Sequence, residues 1–195
     1  MPFHIPNILS TLRLIISPIF FVLLISSNPV FQQVSALLFI IGSISDFLDG
    51  YYARKYNLTT KLGRFLDPLA DKFLTTSAFI GFVILKIIPF WMVLIIIGRD
   101  LIITFLRMGN GEKIKTSKIA KFKTTLQMLF ISYILILIFL KNLFYETQMI
   151  AKYNALIFSE LTYILMLTLV VLTLITLFDY LKPILLKKEK SNYKL

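Results

Sequence analysis

Four aspartates in residues 46–71 form the most distinctive chemical pattern in the sequence: Asp46, Asp49, Asp67 and Asp71. On α-helices, the spacings i, i+3 and i, i+4 place the two members of each pair on one face, with Cβ atoms about 5–6 Å apart. Like charges at that distance repel, and carboxylates offer only oxygen, so the pattern predicts hard divalent cations, Mg²⁺ or Mn²⁺. Two such ions balance four carboxylates and suit a displacement at phosphorus. The cluster therefore predicts phosphate chemistry.

Small and basic residues accompany these aspartates. Gly50 and Gly63 have no side chain and let another backbone or a nucleotide approach closely, while Ala53 keeps the same surface shallow. Arg54 supplies a two-pronged phosphate contact. The plainer alternatives are that a glycine packs helices together and that an aspartate pairs with a neighbouring Arg or Lys at a solvated helix end. Four acids at two helical spacings favour the metal site over ion pairing.

The chain that must position these residues is strongly apolar. Of its 195 residues, 57% are hydrophobic and 16% are charged, against roughly 45–50% and 25% in ordinary soluble domains. This composition excludes disordered, collagen-like and ordinary soluble proteins. Cysteine is absent and His4 is the single histidine, which excludes disulfides, thiol nucleophiles, zinc–thiolate sites and histidine-rich metal centres.

Six apolar stretches are long enough, at roughly 20 residues, to cross a bilayer as helices. Runs of Leu, Ile and Phe that are bounded by Pro, Asn or basic residues favour helices because lipid-facing backbone must be hydrogen-bonded within its own segment. We therefore predict an all-α integral membrane bundle of six transmembrane helices in a single domain, residues 1–195, with a basic tail at about 182–195. The predicted spans are 8–26, 32–53, 67–87, 89–108, 124–144 and 157–181.

The net charge of +11 indicates the orientation of this bundle. With six spans, all of the 21 Lys and Arg residues except Lys86, Lys141 and Lys152 lie on one side. The positive-inside rule then places both termini and the aspartate cluster on the cytoplasmic side of the cell membrane. The start lacks the basic region of a signal peptide, so we expect an uncleaved cytoplasmic lead-in. The expected partner of the charge is the lipid bilayer, and no nucleic acid is expected.

The cluster resembles the signature of the CDP-alcohol phosphotransferase family of membrane enzymes. The pattern Asp-x2-Asp-Gly-x2-Ala-Arg-x8-Gly-x3-Asp-x3-Asp has all eight fixed positions in residues 46–71. The resemblance implies transfer from a CDP-linked donor with release of CMP, two divalent ions, Asp71 as the catalytic base, and a homodimer. It implies metal ligands at Asp46, Asp49, Asp67 and Asp71, and donor-binding residues at Asp46, Gly50, Ala53, Arg54 and Gly63.

Softer patterns resemble the branch of that family that uses CDP-diacylglycerol and sn-glycerol 3-phosphate to form phosphatidylglycerophosphate. They are residues 5–13, Gly98-Arg99-Asp100 with Arg107, and residues 121–128, although Asp100 stands where the branch more often has Glu. The acceptor's phosphate would need cations, and the candidates are Arg99, Arg107, Lys121 and Lys123; anchoring at the membrane interface is the plainer alternative for each.

Two other functions stay open at this point. One is another synthase that uses CDP-diacylglycerol, such as a cardiolipin synthase. The other is a cation transporter, because acids within membrane helices often line ion pathways. Transporter acids are expected near the middle of the membrane, whereas these four cluster at one face.

Overall fold

The described part of the chain is helical throughout. A computed structural model describes the backbone over residues 5–56, 61–110, 118–145 and 147–192, and the side chains over 11–44, 72–104, 119–145 and 147–180. Over these residues it contains seven α-helices and no β-strand. The predicted all-α class is confirmed for this part of the chain. The helices are α1 (Ile5–Leu24), α2 (Pro29–Tyr56), α3 (Lys61–Ile84), α4 (Phe90–Asn110), α5 (Lys118–Leu143), α6 (Met149–Ile157) and α7 (Glu160–Asn192).

Six of these helices overlap the six predicted spans, and the differences lie at polar ends. α3 begins at Lys61 instead of 67 because the helix continues through residues that are too polar to extend an apolar pattern. The helix α6 was not predicted, since its nine residues are too few to cross a bilayer. Within the described residues, Ile119–Leu143 and Met149–Tyr180 are long and apolar enough to span a membrane.

Aromatic side chains from four helices form the centre of the core. Phe20 of α1 and Phe39 of α2 have ring centroids 5.7 Å apart, and Phe79 of α3 stacks on Phe130 of α5 at 6.4 Å. All four rings are buried. The helix α7 packs against α4 and α5 on the other side of the bundle. The helices α3, α4 and α5 carry the charged residues of the site, and α7 packs beside them.

Two glycines allow α1, α2 and α3 to approach closely. A Cβ added at Gly81 would lie 2.5 Å from Leu24 Cδ2, and one added at Gly42 would lie 2.9 Å from Leu74 Cδ2. Leu24 and Leu74 are both buried, so neither can turn freely aside. A side chain added at either position would therefore force the neighbouring leucine to shift.

Large apolar side chains cover much of the outer surface, most clearly on α7. Leu161, Ile164, Val171, Ile175 and Phe178 are all exposed on that helix. The stretch Met149–Tyr180 has a mean hydropathy of 2.5. Soluble monomers rarely expose continuous apolar surfaces of this kind. The exterior of α7 therefore suits contact with lipid.

One end of the bundle is linked by neutral polar groups, and we call it the neutral end. Asn142 Nδ2 of α5 donates to Gln32 Oε1 of α2 at 2.8 Å. Gln32 Nε2 in turn donates to the carbonyl oxygens of Leu24 and Ser26, at 3.3 and 3.0 Å. These bonds satisfy carbonyl groups at the end of α1 that the helix itself leaves unpaired.

Candidate functional site

The other end of the bundle holds a buried ionic cluster around one carboxylate, and we call it the charged end. Asp100 Oδ1 of α4 accepts from Arg99 Nη1 at 2.9 Å and from Lys123 Nζ of α5 at 2.7 Å. Its Oδ2 accepts from Lys72 Nζ of α3 at 3.2 Å. Asp100, Arg99 and Lys123 are all buried. One carboxylate thus connects three helices.

Three cations at the charged end share one described carboxylate, that of Asp100. Burying an ion is costly unless it is paired and hydrogen-bonded. Asp100 therefore offsets part of the charge of all three cations at once.

Arg99 is only partly bonded. Its Nη1 donates to Asp100, and its guanidinium carbon lies 5.4 Å from the ring centroid of Tyr180 on α7, a cation–π distance. Its Nε and Nη2 are buried and have no hydrogen-bond partner among the described residues. Each buried N–H group left unpaired costs about 1–3 kcal/mol. The Nε and Nη2 edge of Arg99 therefore lacks an acceptor.

A pocket of about 110 Å³ has Arg99 in its wall. The Thr104 and Thr124 hydroxyls donate to the backbone carbonyls of Asp100 and Ala120, at 2.7 and 2.9 Å. The donors that remain for a ligand are therefore mainly cationic, which favours an anion such as a phosphate. The lining residues are Lys72, Arg99, Asp100, Ile103, Thr104, Ala120, Lys121, Thr124 and Tyr180.

The four residues predicted to bind the acceptor's phosphate occupy different positions. Arg99 and Lys121 both line the pocket, and Lys121 is exposed. Lys123 is buried against Asp100 and is absent from the pocket wall. Arg107 lies on α4, but its side chain is outside the described residues. The structure thus brings together Arg99 and Lys121 in the pocket, with Lys123 behind it.

The residues of the signature fall on two helices. Asp46, Asp49, Gly50, Ala53 and Arg54 lie on α2, and Gly63, Asp67 and Asp71 lie on α3. Their side chains are outside the described part of the chain. Within the described side chains no group of three His, Cys, Asp or Glu residues is placed to hold a metal ion. The metal site and the catalytic base stay predictions.

The signature nevertheless adjoins the charged end along the chain. Lys72, which is bonded to Asp100, directly follows Asp71 on α3. The ion pair therefore connects the last signature residue's helix to the pocket on α4 and α5.

Sequence reasoning missed three members of the site, Lys72, Asp100 and Tyr180. Asp100 is an acid in an apolar helix, and that position alone indicates a buried partner or a function. Tyr180 gave no signal, because its contact with Arg99 joins residues distant in the chain.

Comparison with known proteins shows which family the chain belongs to. A family model described as CDP-alcohol phosphatidyltransferase matches residues 3–181, and the chain belongs to this family. It is accordingly an enzyme of the phosphatidyltransferase type. The family generally uses divalent metal ions.

Relatives that carry a more specific name are similar over about two thirds of the chain. Each is named CDP-diacylglycerol–glycerol-3-phosphate 3-phosphatidyltransferase. The Bacillus subtilis protein is 40% identical over 149 residues, which cover 69% of this chain and 77% of the relative. The Haemophilus influenzae protein is 40% identical over 140 residues, 66% and 74% of the two chains. The Rickettsia typhi protein is 35% identical over 136 residues, 68% and 76% of the two chains.

Proposed function

We propose that the protein transfers the phosphatidyl group of CDP-diacylglycerol to sn-glycerol 3-phosphate, giving phosphatidylglycerophosphate and CMP in phospholipid biosynthesis. Family membership supports the donor chemistry, and the names of the relatives support the two substrates. One observation supports the choice of acceptor. Arg99 is buried with two N–H groups unbonded, and it lines a pocket together with Lys72 and Lys121. An acceptor that bears its own phosphate fits this pocket, whereas a neutral alcohol would leave the Nε and Nη2 donors of Arg99 without a charged acceptor.

The acceptor's phosphate is bound from several directions in this proposal. Arg99 presents its free edge, and Lys121 contributes a point charge from the pocket wall. Lys123 contributes through its bond with Asp100. Arg107 lies two helical turns beyond Arg99 on α4 and completes the set of cations assigned to the acceptor.

The donor is assigned to the signature. The proposed metal ligands, Asp46, Asp49, Asp67 and Asp71, offer only carboxylate oxygens, which fits two Mg²⁺ or Mn²⁺ ions. When bound, such ions supply positive charge that offsets the diphosphate and the departing CMP. Gly50, Ala53 and Gly63 leave room for the cytidine diphosphate, and Arg54 binds its phosphates.

Asp71 acts as the general base in this scheme. The acceptor hydroxyl gives its proton to the Asp71 carboxylate as its oxygen bonds to the β-phosphorus of the donor. The bond from that phosphorus to the bridging oxygen breaks, and CMP leaves with the bonding electrons. Lys72, the residue after Asp71 on α3, is bonded to Asp100. One connected structure therefore holds both ends of the acceptor.

The reaction is placed at the cytoplasmic face of the cell membrane. Six helices, α1 to α5 and α7, are the proposed membrane spans of a single domain, with both termini in the cytoplasm. The apolar exterior of α7 and the one-sided basic residues support this placement. The donor's acyl chains stay in the bilayer while its head group reaches α2 and α3. A homodimer is expected from the family resemblance alone.

An acceptor panel tests the proposal. The purified full chain is incubated in detergent with CDP-diacylglycerol, Mg²⁺ or Mn²⁺ and one acceptor at a time: glycerol 3-phosphate, glycerol, serine, inositol or phosphatidylglycerol. We expect CMP and phosphatidylglycerophosphate only with glycerol 3-phosphate, and neither product when EDTA is present. Faster CMP release with a neutral alcohol would contradict the assigned acceptor.

A further inference from the structure

We propose that Asp100 is a positioning residue that orients the free edge of Arg99 toward the acceptor's phosphate and fixes that edge relative to the signature helix. The inference rests on the proposed function, since it concerns the acceptor pocket. Asp100 does not act on the reacting atoms, because both of its carboxylate oxygens are engaged by cations.

Asp100 determines which edge of the Arg99 guanidinium is left free. Residues i and i+1 of a helix do not face each other, yet Arg99 Nη1 lies 2.9 Å from Asp100 Oδ1. The guanidinium is therefore turned so that one terminal nitrogen is consumed by Asp100. The remaining Nε and Nη2 are two parallel donors along one edge of the planar group, the arrangement that binds two oxygens of a phosphate together.

The Tyr180 ring restrains the plane of the Arg99 guanidinium. Tyr180 lies at a cation–π distance of 5.4 Å from the guanidinium carbon. Asp100 restrains one nitrogen while the Tyr180 ring restrains the group as a whole. Because an arginine side chain has many rotamers, two restraints hold the free edge in one place before the ligand arrives, which lowers the entropy lost on binding.

Asp100 also fixes the distance between α3 and Arg99. Lys72 of α3 and Lys123 of α5 bond to the same carboxylate as Arg99, at 3.2 and 2.7 Å. Without that carboxylate, three cations would repel one another across the contact between these helices. Asp100 thus holds α3, and with it the neighbour of Asp71, at a fixed distance from Arg99. A phosphate that bridges two helices requires this fixed distance.

Asp100 also supplies the negative charge that the three cations share. Asp100→Asn would remove that charge and release Arg99 at once. It therefore weakens positioning even though it adds attraction for an anion.

The test compares the kinetics of Asp100→Asn, Asp100→Glu and the unmutated chain. For Asp100→Asn we expect the KM for glycerol 3-phosphate to rise about tenfold or more, with the KM for CDP-diacylglycerol within twofold of the unmutated value. Asp100→Glu keeps the carboxylate and should recover at least half of that rise on a logarithmic scale. A purely structural role would instead lower kcat through loss of active protein and leave the KM for glycerol 3-phosphate unchanged.

A double-mutant cycle asks whether Asp100 acts through Arg99. If it does, Asp100→Asn has little further effect on the KM for glycerol 3-phosphate when Arg99 is already Ala, since coupled residues are non-additive. Full additivity of the two changes would overturn the inference. Asn142→Leu at the neutral end is the matched control, because it removes a buried hydrogen bond between helices without touching the pocket; its KM values should match those of the unmutated chain.

A compensated variant covers the case in which Asp100→Asn does not fold. Asp100→Asn with Lys123→Met removes both members of a buried ion pair, which is tolerated far better than removal of one. The inference predicts that the KM for glycerol 3-phosphate is higher in this folded variant than in Lys123→Met alone; equal KM values in the two would overturn it. Failure of the proposed function is a separate result, because the unmutated chain would then release no CMP in response to glycerol 3-phosphate.

Discussion

The two ends of the bundle link their helices through different kinds of buried polar group. At the neutral end, the Asn142 and Gln32 side chains and two backbone carbonyls form a chain of uncharged hydrogen bonds. At the charged end, three cations share the carboxylate of Asp100. The helix α5 takes part in both, since Lys123 and Asn142 lie on it about 28 Å apart.

This difference indicates which end is built for a ligand. Neutral amides are enough to link helices, as the neutral end shows. Buried ion pairs are often no more stabilising than the apolar residues that could replace them, so stability does not explain three cations around one acid. The unbonded Arg99 edge and the adjoining pocket do explain them, if an anion binds there. Changes at the charged end should therefore alter catalysis, and changes at the neutral end should alter stability.

The largest expected effect belongs to the signature beside the charged end. Asp71→Asn should lower kcat for CMP release by about 10²–10⁴-fold, the usual contribution of a general base. Asp179→Asn is the control, since Asp179 is an exposed carboxylate on α7 outside the signature. Initial rates with saturating substrates measure the effect, and bound Mn²⁺ is counted in parallel. A rate near that of the unmutated protein would rule out Asp71 as the base.

The next largest effect concerns Arg99. Arg99→Ala removes two donors from the acceptor's phosphate, and a hydrogen bond to a charged group is worth about 1.5–3 kcal/mol. The KM for glycerol 3-phosphate should therefore rise about 100-fold, while the KM for CDP-diacylglycerol changes little. Lys141→Ala, a cation removed from the last turn of α5, serves as the control. Equal rises in both KM values would show that Arg99 does not serve the acceptor specifically.

A smaller effect, on stability alone, is expected toward the neutral end. Gly81→Ala places a Cβ 2.5 Å from Leu24 Cδ2, and overpacking a core costs about 1–3 kcal/mol. Gly98→Ala is the matched control on α4, because an added Cβ there meets nothing within 4 Å and alanine favours a helix by up to about 1 kcal/mol. The midpoints of thermal unfolding in detergent should move in opposite directions. A Gly81→Ala variant that is as stable as the unmutated chain would contradict the close approach of α1 and α3.

The smallest effect concerns the turn that follows α3. Lys86 has a φ of 59°, and its N–H and that of Ile87 donate to the carbonyls of Val83 and Phe82, each at 2.9 Å. This is the Schellman ending of a helix, at which glycine is preferred. Left-handed backbone costs a residue with a side chain roughly 1–2 kcal/mol, and glycine's greater freedom in the unfolded chain offsets part of this.

Lys86→Gly should therefore stabilise the protein by roughly 0.5–1 kcal/mol. Lys152→Gly, in the interior of α6, should destabilise it by about 1 kcal/mol. Unfolding midpoints of the two variants are compared under the same conditions. If Lys86→Gly is the less stable of the two, the left-handed turn is not formed.

Much of the fold could be predicted because apolar length alone identifies a long helix. The six predicted spans correspond to α1 to α5 and α7. The helix α6 and the early start of α3 could not be predicted in that way, since one is short and the other begins among polar residues. The length of an apolar run indicates which part of a helix can lie in lipid. It does not show where the helix continues into polar residues.

The signature could be recognised because its spacing is local, whereas the charged end depends on contacts between distant residues. Asp100 meets Lys72 and Lys123 across separations of 28 and 23 residues. A single sequence carries no sign of such pairs. For the same reason the sequence could not show that Lys121 is exposed at the pocket while Lys123 is buried against Asp100.

Competition by inorganic phosphate tests most directly whether the charged end binds the acceptor's phosphate. CMP release is measured in the unmutated protein and in Arg99→Ala over a range of phosphate, glycerol 3-phosphate and CDP-diacylglycerol concentrations, with the divalent ion held in excess. We expect phosphate to compete with glycerol 3-phosphate, to leave the KM for CDP-diacylglycerol unchanged, and to inhibit Arg99→Ala at least tenfold more weakly. Competition with CDP-diacylglycerol instead, or equal inhibition of both proteins, would contradict the assignment.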